Sequence, residues 1–350
     1  MSRAAQDPVG VSILAVRETA GSALYGMVDV LCAAGNIWQT LTREDSGQAL
    51  FRVGIVSPEP GLFQCGNGIP VLPDRSVADD PATDLVILPE IWLGPMDHLQ
   101  GRYPAVMDWI RRCYRRGSTI YSACSGAVLL AETGLLDGRA ATSHWAYRDL
   151  FARAYPAVRF ESGPNLVFGD AEARIVTAGG ATSWHDLVLH IIARHASPGE
   201  ALRIASVYLL KLHAEGQSPY TPLTQRILHA DAAVRRCQDW LDVHFRDAHA
   251  VRATVAMSGL PERTLKRRFR NATGTALIDY VQNLRVEAAK RLLETSSEAV
   301  EGVSERVGYE DASFFRRLFK RRTGLTPAAY RRLFQSVAHA GRTPGQMDAA

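Results

Sequence analysis

Short apolar, β-prone runs recur through the first half of the chain: GVSILAVR at 10–17, LFRVGIVS at 50–57, DLVILP at 84–89, STIYSA at 118–123 and RIVTAG at 174–179. Between them, residues 22–34, 104–116 and 126–136 carry helical spacing. Strands alternating with helices predict a parallel sheet covered on both faces, with ligands bound beyond the carboxyl ends of its strands. Residues Trp184 to Leu212 read as one nearly unbroken helical region that completes this half. The stretch AEGQSPYTPLTQ at 214–225, with Gly, Ser and two prolines, then reads as a linker. From Ile227 to about Phe334 every segment reads as helical. The expected layout is an α/β domain over 8–213, a linker over 214–228, an all-α domain over 229–335 and a disordered tail over 336–350.

The helical half repeats itself. At an offset of 50, TLKRRFRNATGTALIDY (264–280) meets FFRRLFKRRTGLTPAAY (314–330), with Arg267 on Arg317, Phe269 on Phe319, Thr273 on Thr323, Gly274 on Gly324 and Tyr280 on Tyr330. Each copy follows a short helix and a glycine turn, ATVAMSGL at 253–260 and GVSERVGY at 302–309. Helix, glycine turn and basic helix spell a helix-turn-helix. Leu265 and Phe269, like Phe315 and Phe319, are four apart and pack inward. The outward set is Arg263, Lys266, Arg267 and Arg270 in one unit, and Ser313, Arg316, Arg317 and Lys320 in the other. Arginine in a major groove binds guanine O6 and N7 bidentately, which suits these positions to base reading, and the other residues to phosphate contact. A basic amphipathic helix that binds nothing is the competing reading.

Charge supports the division. Residues 251–332 hold 17 Lys and Arg against 9 Asp and Glu, net +8 in a chain of net +4, so the remainder carries −4. A basic region beside an acidic remainder favours a nucleic-acid partner. The length of 350 residues suits two domains. Cys32, Cys65, Cys113, Cys124 and Cys237 are scattered and never in a C-x-x-C pair, which argues for reduced thiols and against a disulfide framework or a zinc site. With no basic-then-apolar leader and no apolar run of membrane length, a cytoplasmic protein without membrane, cofactor or metal is expected.

One stretch carries candidate chemistry. In Ser122-Ala123-Cys124-Ser125-Gly126 a nucleophile sits between small residues at a strand-to-helix turn. A thiol there would have its pKa lowered by the helix dipole, and His144 in Ser-His-Trp could hold or remove its proton. Equally, Cys124 reads as a small buried core residue and His144 as a hydrogen-bonded histidine on a buried turn.

The C-terminal half resembles the AraC/XylS family of bacterial transcription regulators, most densely in VSERVGYEDASFFRRLFKRRTGLTPAAYRRLF at 303–334. That resemblance implies two helix-turn-helix units joined by a long helix over about 277–293 and entering successive major grooves. The N-terminal half resembles the PfpI branch of the class I glutamine amidotransferase-like superfamily, through VDVLCAAG (28–35), LVILPE (85–90), SACSGAVLLAETGLLDGRAATSHW (122–145) and IVTAGGATSWHDLVLHII (175–192). It implies a flavodoxin-like sandwich. The two in this order resemble GlxA-type regulators, which implies as partners promoter DNA, a small-molecule effector, RNA polymerase and a second copy joined through the N-terminal domain, in a bacterial, nucleoid-associated setting.

Against the pattern of that superfamily's enzymes, the acidic position falls near Ala23, and Glu90-Ile91 stands where the resemblance implies Gly-Gly amides for an oxyanion. Glu90 is expected to polarise or quiet Cys124, to recognise an amine or amide, or to sit in solvent. The expected pocket comprises Cys124, Ser125, His144, Glu90, Tyr25 and Trp145, with Trp92 and Trp184 as further aromatics. The leading expectation is a regulator sensing a small nitrogenous or amino-acid-derived metabolite. Its alternatives are a cysteine-dependent hydrolase fused to a DNA-binding domain and a redox sensor working through Cys124.

Overall fold

The computed structural model describes residues 7–44, 47–94, 97, 99–224 and 229–338. The chain divides into two compact units between Gln217 and Ser218, inside the stretch read as a linker. Residues 225–228 of that stretch and residues 339–350 of the expected tail lie outside the described residues. Residues 336–338 close the last helix instead of opening a tail, since Ser-Val-Ala holds no helix breaker.

The strands of the first unit are β1 (Val9–Leu14), β2 (Phe51–Ser57), β3 (Phe63–Gln64), β4 (Pro70–Val71), β5 (Arg75–Ser76), β6 (Leu85–Leu88), β7 (Thr119–Ala123), β8 (Ala140–Ala141), β9 (Arg159–Phe160), β10 (Leu166–Phe168) and β11 (Ile175–Ala178). Among the described residues, seven form one sheet in the order β10-β11-β7-β6-β1-β2-β5, parallel except for β10 on β11. Its helices are α1 (Gly21–Ala33), α2 (Ile37–Thr42), α3 (Pro104–Arg115), α4 (Gly126–Glu132), α5 (Arg148–Ala154), α6 (Trp184–His195) and α7 (Pro198–Tyr208). Alternation sends Ile13, Ile87, Tyr121 and Val176 to one face, under Leu24 and Met27 of α1, Ile191 of α6 and Ile204 of α7. Leu14, Val86, Leu88 and Ile120 face the other way, under Trp109 and Ile110 of α3, Leu129 of α4 and Phe151 of α5. Because both faces are covered, the central strands read as continuous apolar runs rather than as alternating ones.

Two expected elements change. The single helix expected over 184–212 is α6 and α7, broken at Ser197-Pro198, where proline disfavours a helical residue before it and Ser197 Oγ caps the new helix by accepting from Glu200 N–H at 3.1 Å. The helix expected to reach 136 stops at Glu132, ahead of Gly134 in the left-handed region at φ +75°.

The second unit holds α8 (Ala232–His244), α9 (Ala250–Ser258), α10 (Glu262–Thr273), α11 (Leu277–Thr295), α12 (Val300–Arg306), α13 (Ala312–Thr323) and α14 (Pro327–Ala338). The sequence repeat is a repeat of contacts. Phe269 meets Tyr280 edge-on at 5.2 Å, and Phe319 meets Tyr330 edge-on at 5.4 Å. Thr273 Oγ1 donates to the Phe269 carbonyl at 2.7 Å and Thr323 Oγ1 to that of Phe319 at 2.9 Å, and each helix ends at a left-handed glycine, Gly274 or Gly324. Two small cores result, one around Leu241, Leu265 and Phe269 and the other around Val303, Phe315 and Phe319.

Candidate ligand site and nucleic-acid interface

The elbow forms because β7 runs straight into α4 through one left-handed residue, Cys124 at φ +53°. Its N–H extends the β7–β11 ladder to the Ala178 carbonyl at 3.0 Å, while Ser143 Oγ donates to the Cys124 carbonyl at 2.7 Å. A Cβ on Gly126 would sit 2.2 Å from the Leu88 carbonyl oxygen, so only glycine lets α4 start this close to the end of β6. Ser125 Oγ donates to the Ile91 carbonyl at 2.6 Å and accepts the Ile91 N–H at 2.9 Å, which pins the loop after β6 against the turn. That amide is therefore occupied within the protein and not presented to an oxyanion.

The same loop carries Glu90, whose half-buried carboxylate lies close enough to the Cys124 thiol for each group to bear on the other's ionisation. Glu90 therefore does not sit free in solvent. The expected lowering of the thiol pKa is overturned. Cys124 is 2% exposed, and burial first, with the nearby Glu90 charge second, pushes its thiol well above the usual cysteine range. Burial also raises Glu90. The pair holds a protonated sulfur.

His144 does not complete a nucleophile and base pair. Its Nδ1 accepts the Ala146 N–H at 3.2 Å, and burial holds its pKa below the ordinary value, so the neutral ring carries its proton on Nε2 and presents a donor. Among the described residues no hydrogen bond joins it to Cys124. The ring lies tilted against Trp145, with centroids 4.7 Å apart, and meets Tyr147 edge-on at 6.2 Å. Tyr147, which the sequence reading passed over, donates to the Leu93 carbonyl at 2.7 Å, and burial first pushes its phenol up to about 12.

A second residue missed in the sequence is Gln217, hidden in the stretch read as linker. It is buried, and its Nε2 donates to Thr142 Oγ1 at 3.2 Å, the Ser143 carbonyl at 3.0 Å and the Pro164 carbonyl at 3.1 Å, directly behind the segment that carries His144. Glycine at 179 makes room for it, since a Cβ there would lie 2.3 Å from Gln217 Nε2. The other expected aromatics are employed elsewhere. Tyr25 donates to the Pro70 carbonyl at 2.8 Å, Trp92 packs over Gly66, and Trp184 packs over Gly26. The structure thus brings Cys124, Ser125 and Glu90 together, with Ser143 linking them to the His144 and Trp145 turn, and records no such link for Tyr25.

In the second unit Leu265, Phe269, Phe315 and Phe319 are buried as expected, and Arg263, Lys266, Arg267, Arg270, Ser313, Arg316, Arg317 and Lys320 are all exposed. Lys266 pairs with Glu262 on its own helix, and Arg316 reaches Glu301 of α12. Arg267 and Arg317, the equivalent pair in the repeat, make no ion pair among the described residues. Both guanidiniums are available to an external acceptor.

Comparison with known proteins finds relatives of both halves of the chain. The DJ-1/PfpI family matches residues 35–194, and a helix-turn-helix domain matches residues 255–333. The HTH-type transcriptional regulator CdhR of Pseudomonas aeruginosa is 27% identical over 297 residues, covering 85% of this chain and 86% of that protein. The HTH-type transcriptional regulator GlxA of Rhizobium meliloti is 28% identical over 224 residues, covering 64% of this chain and 68% of the relative. With a DJ-1/PfpI match followed by a helix-turn-helix match, the chain is similar in domain order and extent to the HTH-type transcriptional regulators CdhR and GlxA, in line with the resemblance to GlxA-type regulators of the AraC family.

Proposed function

We propose that α10 and α13 read successive major grooves of promoter DNA, and that the elbow region of the first unit binds a small nitrogenous or amino-acid-derived metabolite without turning it over. The observation that carries the DNA assignment is the equivalence of Arg267 and Arg317, exposed and without an ion pair among the described residues, at one position of two repeated helices. Each good bidentate arginine–guanine pair discriminates by roughly 1–3 kcal/mol, so Arg267→Ala or Arg317→Ala should weaken binding to a duplex selected by the wild-type chain about five- to 150-fold. Fluorescence anisotropy reads this, and wild-type affinity in both variants would sink the assignment.

Glu90 supports the effector assignment, because a half-buried carboxylate beside a neutral thiol is a ready acceptor for an ammonium or amide N–H. A thermal-shift screen of the full chain against amino acids, amines, quaternary ammonium compounds and amides should find a saturating stabilisation, about 2.7 kcal/mol at a hundredfold excess over Kd. It should persist in Cys124→Ser, vanish in Glu90→Gln and leave no product by mass spectrometry. Cys124-dependent product would replace this reading with the hydrolase one. In the proposed function RNA polymerase and a second copy of the chain are the further partners.

A further inference from the structure

We propose that Arg285 is a positioning residue that sets the separation of the two DNA-reading helices, an inference that rests on reading α10 and α13 as the DNA contacts. Arg285 lies on α11, the helix joining the two helix-turn-helix units, and is only 8% exposed. Its guanidinium donates to three backbone carbonyls drawn from both units. Nε reaches Phe245 at 2.7 Å and an Nη reaches Asp247 at 2.8 Å, in the connection between α8 and α9, while the other Nη reaches Gly308 at 2.8 Å, in the turn between α12 and α13. The same group lies over the Tyr309 ring at 4.8 Å. Among the described residues no carboxylate pairs with it, so carbonyl dipoles and a ring face balance a buried charge.

The backbone is built to accept this clamp. Gly308 has φ +93°, and a Cβ on it would lie 2.3 Å from the Arg246 carbonyl oxygen, so the turn of the second helix-turn-helix approaches the α8–α9 connection at main-chain distance. Beside the clamp lies a cleft of about 540 Å³ whose walls include Val251 and Val255 of the first helix-turn-helix, Ile278 and Val281 of α11, and Tyr309 and Phe314 of the second helix-turn-helix. Side chains do not fill that space, and the Arg285 fork spans the two units at its edge. A planar fork with five fixed donors can satisfy three divergent carbonyls, whereas a lysine ammonium at the same place cannot keep that geometry. Because each unit carries one reading helix, the orientation held by these three bonds becomes the register between the two grooves that are read.

The test uses the full chain. Wild type first enriches a duplex from a random-sequence pool, footprinting then locates its two halves, and a series is made with one or two base pairs inserted or removed between them. Wild type should lose about tenfold in affinity per inserted pair, whereas Arg285→Lys, checked for folding by circular dichroism, should keep that ratio below about threefold. Gly308→Ala, which opens the same contact from the other side, should relax the spacing preference in the same direction and stands in if Arg285→Lys does not fold. A wild-type spacing ratio in both variants, or a uniform loss at every spacing as expected of a merely structural arginine, would overturn the proposal. If wild type enriches no duplex, the DNA reading falls first and the proposal with it.

Discussion

At the scale of single residues, the decisive one is Cys124. Its position on a turn between small residues was legible, because the need for small neighbours is written into Ser122 to Gly126. Its chemistry was not, since burial and the charge of Glu90 are tertiary facts and together they reverse the expected direction of the pKa shift. A thiol pushed upward stays protonated across pH 7 to 9. Iodoacetamide should therefore label the exposed Cys32 well ahead of Cys124 in the folded chain, with no rise in Cys124 labelling through pH 8.5, where an ordinary thiol ionises. Glu90→Gln removes the second cause of the shift and should speed Cys124 labelling, as peptide mass spectrometry would read. Fast wild-type labelling at neutral pH would restore the nucleophile. His144 was legible as a neighbour in the motif, but the use of its Nδ1 depends on the backbone of Ala146, which no spacing reveals.

Elements were legible in proportion to how fully they are buried. The four central strands, covered on both faces, announced themselves as apolar runs. β10, three residues at the antiparallel edge, and β5, two residues, are too short to carry a period. The repeat in the second unit was legible because both copies need the same buried Phe, Thr and Tyr contacts and the same left-handed glycine. Glycines with different roles should separate on substitution. Gly126→Ala drives a methyl into the Leu88 carbonyl and should destabilise by about 3 kcal/mol. Gly259→Ala meets nothing within 4 Å and suffers only from φ +68°, so about 1–2 kcal/mol is expected. Urea denaturation of the two variants compares them, and equal losses would remove the close approach as the explanation for Gly126.

Over the whole molecule, the acid limit of the first unit has an identifiable source. His195 Nε2 lies 2.8 Å from the Tyr121 hydroxyl, and burial first, then Arg194 and His190, bring its pKa down to about 4. The folded chain keeps this ring neutral while the unfolded chain protonates it near 6.5, so the unfolded state binds more protons between those values and stability falls as pH drops from 6.5 to 4. The Tm of His195→Gln should gain on wild type at pH 4.5 relative to pH 7.5, and parallel curves would place the acid sensitivity elsewhere. No helix among the described residues is long and apolar enough to cross a membrane.

The placement of Gln217 bears on how such chains are reassembled in evolution. The last side chain of the first unit is a wedge behind the His144 turn, not slack before a hinge. The exchangeable module therefore extends through Gln217. A recombination joint a few residues earlier would carry the sensor to a new DNA reader with its rear wall missing, while a joint at Ser218 would carry it whole.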